Sequence, residues 1–133
     1  MPISSETWAI VAATAFGPIA AVLITLWRQA VTTTYDRRLH VFRMLMATRK
    51  TNISAEHVNA LNLVEVDFYH CPKVQVSWKA YRAHLYDDSK GPTPDAAWED
   101  KRDNLPARLI FEMGKVLRYD VPAIEIYRGG YAP

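Results

Sequence analysis

Residues 8–27 read WAIVAATAFGPIAAVLITLW and contain no charged side chain. As a helix this stretch is about 30 Å long, at about 1.5 Å per residue, which matches the hydrocarbon thickness of a bilayer. A tryptophan stands at each end, and tryptophan suits a membrane interface because its ring is apolar while its N–H can reach water or headgroups. The stretch is therefore predicted to be a transmembrane helix.

A cleaved signal peptide and a buried helix of a soluble core are the two alternatives. A signal peptide carries positive charge before its apolar region, whereas residues 1–7 contain Glu6 and no lysine or arginine. The apolar stretch is also longer than an ordinary signal peptide provides. A core helix is usually shorter and rarely apolar around its whole circumference. A membrane span is the favoured interpretation.

Charge on either side of the span predicts its orientation. Six basic side chains lie in residues 28–50 against Asp36 alone, whereas none precedes the span. The positive-inside rule then places the C-terminal side in the cytoplasm of a bacterial cell, with a short N-terminus outside the inner membrane. Anionic headgroups attract basic residues close to the bilayer, so Arg28, Arg37 and Arg38 are candidate lipid contacts.

Two features inside the span concern assembly and shape. Ala13, Gly17 and Ala21 recur at every fourth position. Small side chains let helix backbones approach closely, so these residues are a candidate helix-to-helix contact and favour a homo-oligomer. Pro18 lacks an N–H and clashes with the carbonyl four residues earlier, so a kink is expected there.

Residues 28–50 contain no glycine or proline and are predicted to continue as a basic juxtamembrane helix. Its apolar stripe consists of Tyr35, Leu39, Phe42 and Met46. Packing against later helices of the same chain is the favoured use of this stripe. A short coiled coil and contact with the inner leaflet are the alternatives.

The remainder is predicted to be a small helical domain. Ser54 is expected to cap a helix from about Ala55, Pro72 to open the next one, and Thr93 with Pro94 to open a third after a loop at 87–95. Residues 64–69 fit a strand or a helix equally, and Pro106 is expected to kink or split the last helix. Residues 121–127 are predicted to form a short extended tail.

The fold class is accordingly mainly all-α, with four segments. These are a short extracytoplasmic N-terminus (1–7), a transmembrane helix (8–27), a basic juxtamembrane helix (28–50) and a cytoplasmic helical domain (51–133). The last segment has 10 basic and 12 acidic side chains. A net charge of −2 argues against nucleic-acid binding.

Catalytic, cofactor and metal sites are not predicted. His57, His70, Cys71 and His84 are the residue types that bind zinc, but their spacing matches no zinc motif. Cys71 is the only cysteine, so an intramolecular disulfide is excluded. No glycine-rich phosphate loop is present, and acidic pairs such as Glu65 with Asp67 are interpreted as solvated charges. The chain is therefore expected not to be an enzyme.

Several short motifs carry a resemblance to a known family. They are RRLHVFRMLMATR (37–49), SAEHVNALN (54–62), the helices around Trp78 and Trp98, FEMG (111–114) and YAP (131–133). With them the chain resembles a family of uncharacterised bacterial single-span membrane proteins, a domain of unknown function. The resemblance implies a membrane-anchored helical domain and assigns no catalytic or binding residue.

These observations favour a self-assembling membrane scaffold that displays its helical domain to an unidentified cytoplasmic protein partner. A membrane-perturbing effector or pore, of the kind found in phage defence or exclusion, is the alternative, because Gly17 and Pro18 can permit a conformational change. A membrane-tethered enzyme is a third hypothesis, which would require a polar cleft with convergent ionisable groups.

Overall fold

The computed structural model describes residues 4–51, 54–87, 93 and 95–130. These residues form five α-helices and no β-strand: α1 (Ser5–Thr48), α2 (Ala55–Asp67), α3 (Pro72–Leu85), α4 (Ala96–Val116) and α5 (Ala123–Arg128). The predicted all-α class is confirmed. Residues 64–69, which fitted a strand or a helix, complete α2 through Asp67.

The chain divides into two compact units, Met1–Tyr35 and Asp36–Pro133, and α1 contributes residues to both. In the first unit the described apolar side chains are exposed, as Phe16 at 70% and Trp27 at 68% illustrate. Pro18 lies inside the helix. Because proline has no N–H, residue 18 donates no hydrogen bond to the carbonyl of Thr14. The hydroxyl of Thr14 donates to the carbonyl of Ile10 at 2.8 Å.

The second unit has a hydrophobic core to which all five helices contribute. Within it α2 packs on α3, α3 on α4 and α4 on α5. The best-buried side chains, all less than 2% exposed, are Val41, Leu45, Val64, Phe68, Val74, Leu109, Ile110 and Met113. A core of this kind excludes water by close packing, so each of these positions tolerates little change in volume.

The end of α1 packs into this core. Phe42 is only 5% exposed and stacks on Tyr119 with 5.4 Å between ring centroids, and Leu39 and Met46 lie half-buried against the core. Packing within the chain, the favoured use of the predicted stripe, is thus confirmed for these three residues. The prediction missed Val41 and Leu45, which lie beside the stripe and are the most deeply buried residues of α1.

The helix starts follow local capping rules. Ser54 accepts a hydrogen bond from the backbone N–H of His57 at 3.2 Å, and Pro72 stands in the first turn of α3, as predicted. The prediction of Thr93 as the cap of α4 is wrong. Asp95 is the cap, and its carboxylate accepts from the N–H of Trp98 at 2.8 Å. Pro94 and residues 88–92 lie outside the described residues.

Two expectations concern the C-terminal third. Pro106 was expected to kink or split the last helix, and the helix is not split: α4 runs from Ala96 to Val116 with the proline inside it, so a kink stays a prediction. Residues 121–127 were predicted to be extended, but Ala123–Arg128 form the short helix α5. The two residues that follow α1 hold this helix: Arg49 Nε donates to the carbonyl of Ile126 at 3.2 Å, and Lys50 Nζ donates to the carbonyl of Tyr127. Basic groups at the carbonyl end of a helix stabilise it.

Candidate functional site

The first candidate surface is the apolar part of α1. Among the described residues, α1 is the one helix long and apolar enough to cross a membrane, and none of its most apolar stretch is buried. Gly17 has no atom within 4 Å of where a Cβ would stand. Ala13 and Ala21 are likewise exposed in the single chain. The small-residue face is therefore unoccupied by the chain's own described residues, and contact with a second helix there stays a prediction.

The basic residues after the span have different surroundings. Arg28 and Arg37 are exposed. Arg38 is half-buried, because its Nε donates to the carbonyl of Asp67 at 2.8 Å and its guanidinium lies 5.6 Å from the centre of the Phe68 ring. Arg38 thus caps the carbonyl end of α2. Lipid contact stays a prediction for Arg28, Arg37 and Arg38. The sequence analysis did not anticipate that Arg38 would cap α2.

The histidines and the cysteine are dispersed. His70 is exposed against the edge of Tyr69, and Cys71 is half-buried at the start of α3. His84 lies against Trp98, with 4.6 Å between ring centroids and 38° between ring planes. Within residues 4–51, 54–87, 93 and 95–130, no three His, Cys, Asp or Glu side chains come together in a way that could hold a metal ion.

His57 joins the last turn of α1 to the first turn of α2. Its Nδ1 lies 2.8 Å from the hydroxyl of Thr48, which also lies 2.8 Å from the carbonyl of Met44. The hydroxyl has one proton and a carbonyl can only accept, so Thr48 donates to Met44 and His57 Nδ1 donates to Thr48. This tautomer leaves Nε2 as the site of protonation. Burial lowers the pKa of His57 from its ordinary value.

The lowered pKa of His57 predicts acid sensitivity. The unfolded chain takes up the proton near pH 6.5, at the ordinary histidine pKa, and the folded chain resists it, so stability is full above about pH 6.5 and falls below it. We expect the free energy of unfolding to decrease between about pH 7 and pH 5 and to decrease less in His57→Asn, which keeps a donor for Thr48. Urea titrations at each pH measure this. An unchanged slope in the variant would refute the assignment to His57.

A cavity lies between α2 and α3. Its volume is about 380 Å³, within the range of about 300–1,000 Å³ typical of small-molecule sites. The lining is mostly apolar with a few polar groups: Val58, Leu61, Asn62 and Glu65 from α2, and Trp78, Tyr81, Arg82, Leu85 and Tyr86 from α3 and its end.

Polar interactions fix the geometry of this cavity, which we call the α2–α3 cavity. Arg82 Nη1 lies 3.2 Å from a carboxylate oxygen of Glu65, and the guanidinium carbon lies 5.8 Å from the centre of the Trp78 ring. Trp78 is 5% exposed, and its Nε1 has no hydrogen-bond acceptor among the described residues. A buried N–H without an acceptor costs about 1–3 kcal/mol.

Tyr81 adds a neutral hydroxyl group to the α2–α3 cavity. Burial, and to a lesser extent the negative charge of Asp103, raises the pKa of the Tyr81 phenol above its ordinary value. The phenol therefore stays protonated at physiological pH and can donate a hydrogen bond.

A second, wider depression of about 440 Å³ lies between α3 and α4, beside His84 and Lys101.

Sequence periodicity indicates part of the lining of the α2–α3 cavity. Val74, Trp78, Tyr81 and Leu85 are spaced four, three and four residues apart, which predicts an apolar helix face. Trp78, Tyr81 and Leu85 of this face line the cavity. Glu65 was interpreted as a solvated charge, and its carboxylate is indeed exposed, but its pairing with Arg82 was missed. The signal available in the sequence was that Glu65 and Arg82 have opposite charges and lie on two successive predicted helices.

Comparison with known proteins gives a family and no close relative. A protein-family model described as "Family of unknown function (DUF6680)" matches residues 3–133. No curated protein and no solved structure matches the chain significantly.

Proposed function

The chain belongs to DUF6680, a family of unknown function, and we propose that it is a non-enzymatic, membrane-anchored scaffold. The apolar part of α1 spans the inner membrane of a bacterium, and the unit Asp36–Pro133 is displayed in the cytoplasm to a protein partner. Copies of the chain assemble through their spans.

One observation carries this proposal. Apolar side chains throughout residues 8–27 are exposed in the single chain, while the second unit buries its own apolar residues in a separate core. A soluble protein would have to hold this stretch in water at an unfavourable free energy of about 25 cal/mol per Å² of apolar surface. A lipid bilayer covers the stretch, and its length suits that role. The six basic side chains of residues 28–50 support the cytoplasmic placement of the second unit.

Assembly is supported by the small-residue face of Ala13, Gly17 and Ala21, since nothing occupies it within the described chain. Protein in lipid nanodiscs or mild detergent, weighed by mass photometry, should contain several protomers per particle. Gly17→Leu places a bulky side chain on this face and should reduce the number of protomers. Ala15→Leu is the matched control, because residue 15 points to the opposite side of the helix and should leave the particle unchanged. A monomeric unaltered protein would refute the assembly.

A membrane-perturbing effector or pore is the second candidate function. The observation that favours it is Pro18 inside α1, directly after Gly17, where a helix can bend. Induced expression with a membrane-potential dye separates the two functions. Depolarisation that Pro18→Ala abolishes would favour the effector and count against the scaffold, whereas an unchanged potential supports the scaffold.

A further inference from the structure

The unit Asp36–Pro133 has one end close to the point where the chain enters it. Helix α2 runs back along α1, because its first turn bonds to Thr48 through His57 and its carbonyl end accepts a hydrogen bond from Arg38. Arg38 is only two residues after Asp36, where the unit begins. The turn between α2 and α3 therefore lies at the end of the unit that the chain enters first.

Helix α4 ends close to the same place. It begins at the opposite end, where Trp98 lies against His84 in the last turn of α3. After α4 ends, Tyr119 stacks on Phe42, which is only four residues along α1 from Arg38. The segments that form this end of the unit, which we call the entry end, are residues 36–43, 67–73 and 115–120.

The two ends of the unit have opposite net charge. The entry end has six lysines and arginines and three acidic side chains, a net charge of +3. Its basic residues are Arg37, Arg38, Arg43, Lys73, Lys115 and Arg118. The described residues of the opposite end, within 48–57, 84–103 and 125–128, have five basic and seven acidic side chains, a net charge of −2. An anionic surface therefore attracts the entry end and repels the opposite end.

Three basic residues of the entry end are available to an anionic surface. Arg37, Lys73 and Arg118 are exposed, and none of them forms an ion pair with another described residue. Arg102 at the opposite end differs, because its guanidinium pairs with the carboxylates of Glu99 and Asp103.

The backbone at Arg118 is a second, independent observation at the entry end. Arg118 has a φ of 62°, in the left-handed region, and follows the last residue of the α4 cap. Glycine is usual at this position, because a side chain meets a steric penalty there. Non-glycine residues in such conformations cluster at functional sites. A role for the exposed guanidinium explains why an arginine stands where a glycine would fit better.

The chain between the span and this unit is short. Residues 28–35 are eight residues, about 12 Å of helix, so the entry end begins close to the headgroups of an anchored protein. Electrostatic attraction to a membrane surface acts over about 8 Å at physiological salt. The hydroxyls of Thr33 and Thr34 donate to carbonyls one turn earlier, and such bonds often bend helices. A bend there allows the unit to close the remaining distance.

We propose that the entry end docks on the anionic lipid headgroups of the inner leaflet through Arg37, Lys73 and Arg118. Anionic lipids of the cytoplasmic leaflet attract basic side chains held near the surface. This inference rests on the membrane anchoring of the proposed function and extends it, because the folded unit itself then contacts the bilayer. The acidic opposite end stays exposed to the cytoplasm.

The test measures contact between the entry end and the headgroups in lipid nanodiscs. In the full chain, Cys71→Ser removes the native thiol and His70→Cys places a nitroxide at an exposed position of the entry end. A small fraction of lipid with a nickel-chelating headgroup relaxes the nitroxide on collision. We expect the collision rate to be at least about twofold higher with about 30% phosphatidylglycerol than with phosphatidylcholine alone, and the difference to vanish at about 1 M salt. Equal rates in the two lipids would overturn the proposal.

Charge reversal locates the contact. Lys73→Glu with Arg118→Glu should remove the difference between the two lipids, and an acidic residue in the first turn of α3 suits that helix. Lys101→Glu with Arg128→Glu is the matched control, because it makes the same change in charge at exposed positions of the opposite end. The control should keep the difference. A difference that survives in the first variant, or is lost in both, would refute docking through the entry end.

Arg118→Gly separates a lipid contact from a structural role. The substitution removes the charge and the left-handed strain together. We expect the thermal midpoint to rise while the collision rate in the anionic lipid falls. A rise in the midpoint with an unchanged collision rate would exclude Arg118 from the contact.

Failure of the docking is distinguishable from failure of the anchor. Flotation of the nanodiscs reports whether the chain is inserted, and the nitroxide reports on the entry end. A chain that does not float with the discs would refute the anchoring. A chain that floats and responds equally to both lipids would refute the docking alone.

Discussion

Replacing Phe68 with alanine should lower the free energy of unfolding of the C-terminal unit by about 3–5 kcal/mol, the usual cost of removing a fully buried aromatic ring. Phe68 is 0% exposed, belongs to the core, and has the guanidinium of Arg38 over its ring. The substitution therefore removes packing in the core and also removes the ring that the Arg38 guanidinium contacts. Urea titration of the full chain in nanodiscs, read by hydrogen exchange of peptides from α3 and α4, measures the loss.

The adjacent residue provides a matched control for Phe68→Ala. Tyr69 is of similar size but 70% exposed, so Tyr69→Ala should change stability by less than about 0.5 kcal/mol. Similar losses in the two variants would mean that the core is not centred where the structure places it.

Arginines in the centre of the span should prevent stable membrane insertion. Each arginine at the helix centre costs about 2.5–3.5 kcal/mol on insertion scales, so about 5–7 kcal/mol is the upper limit for Ile19→Arg combined with Leu23→Arg, which lies nearer the end of the span. Both side chains are more than half exposed in the single chain, so the change damages no internal packing. We expect the double variant to be extracted from membranes by alkaline carbonate or to be degraded, whereas the unaltered protein stays in the membrane.

The control for the double arginine variant keeps the charge and moves it out of the span. Thr32→Arg with Thr33→Arg adds the same charge to exposed positions after residue 27 and should leave insertion unchanged. A double span variant that resists carbonate as well as this control would contradict the assignment of residues 8–27 to the membrane.

Local patterns in the sequence predicted the helices that depend on local chemistry. The length of the apolar run, the cap at Ser54 and the proline that opens α3 each involve neighbouring residues, and each has the expected structure. The start of α4 shows the limit of this reasoning. Threonine and aspartate are both good caps, so residue type alone does not show that Asp95, and not the predicted Thr93, accepts the hydrogen bond from the N–H of Trp98.

The C-terminal tail was mispredicted because its cause is remote in sequence. The alternating apolar residues of 121–127 resemble a strand, and a six-residue helix has little stability of its own. Arg49 and Lys50 supply the missing stabilisation at the carbonyl end of α5 from 77 positions earlier. No local pattern contains that information.

The α2–α3 cavity was beyond prediction for a related reason. Periodicity identified the apolar face of α3, but a cavity exists only where two helices fail to fill the space between them. Whether the Trp78 indole meets an acceptor depends equally on that packing. The residue types on one helix predict which of its side chains are buried, whereas the cavity depends on how α2 and α3 pack together.

The final turns of α1 have a practical implication for engineering this protein. Val41, Phe42 and Leu45 complete the core of the C-terminal unit, although they precede the boundary that the basic segment suggests at residue 50. A truncated protein that starts at residue 51 would lack one wall of its hydrophobic interior and would expose the opposing side chains to solvent. Soluble expression, or transplantation of the domain onto another anchor, should therefore retain the chain from before Asp36 onward.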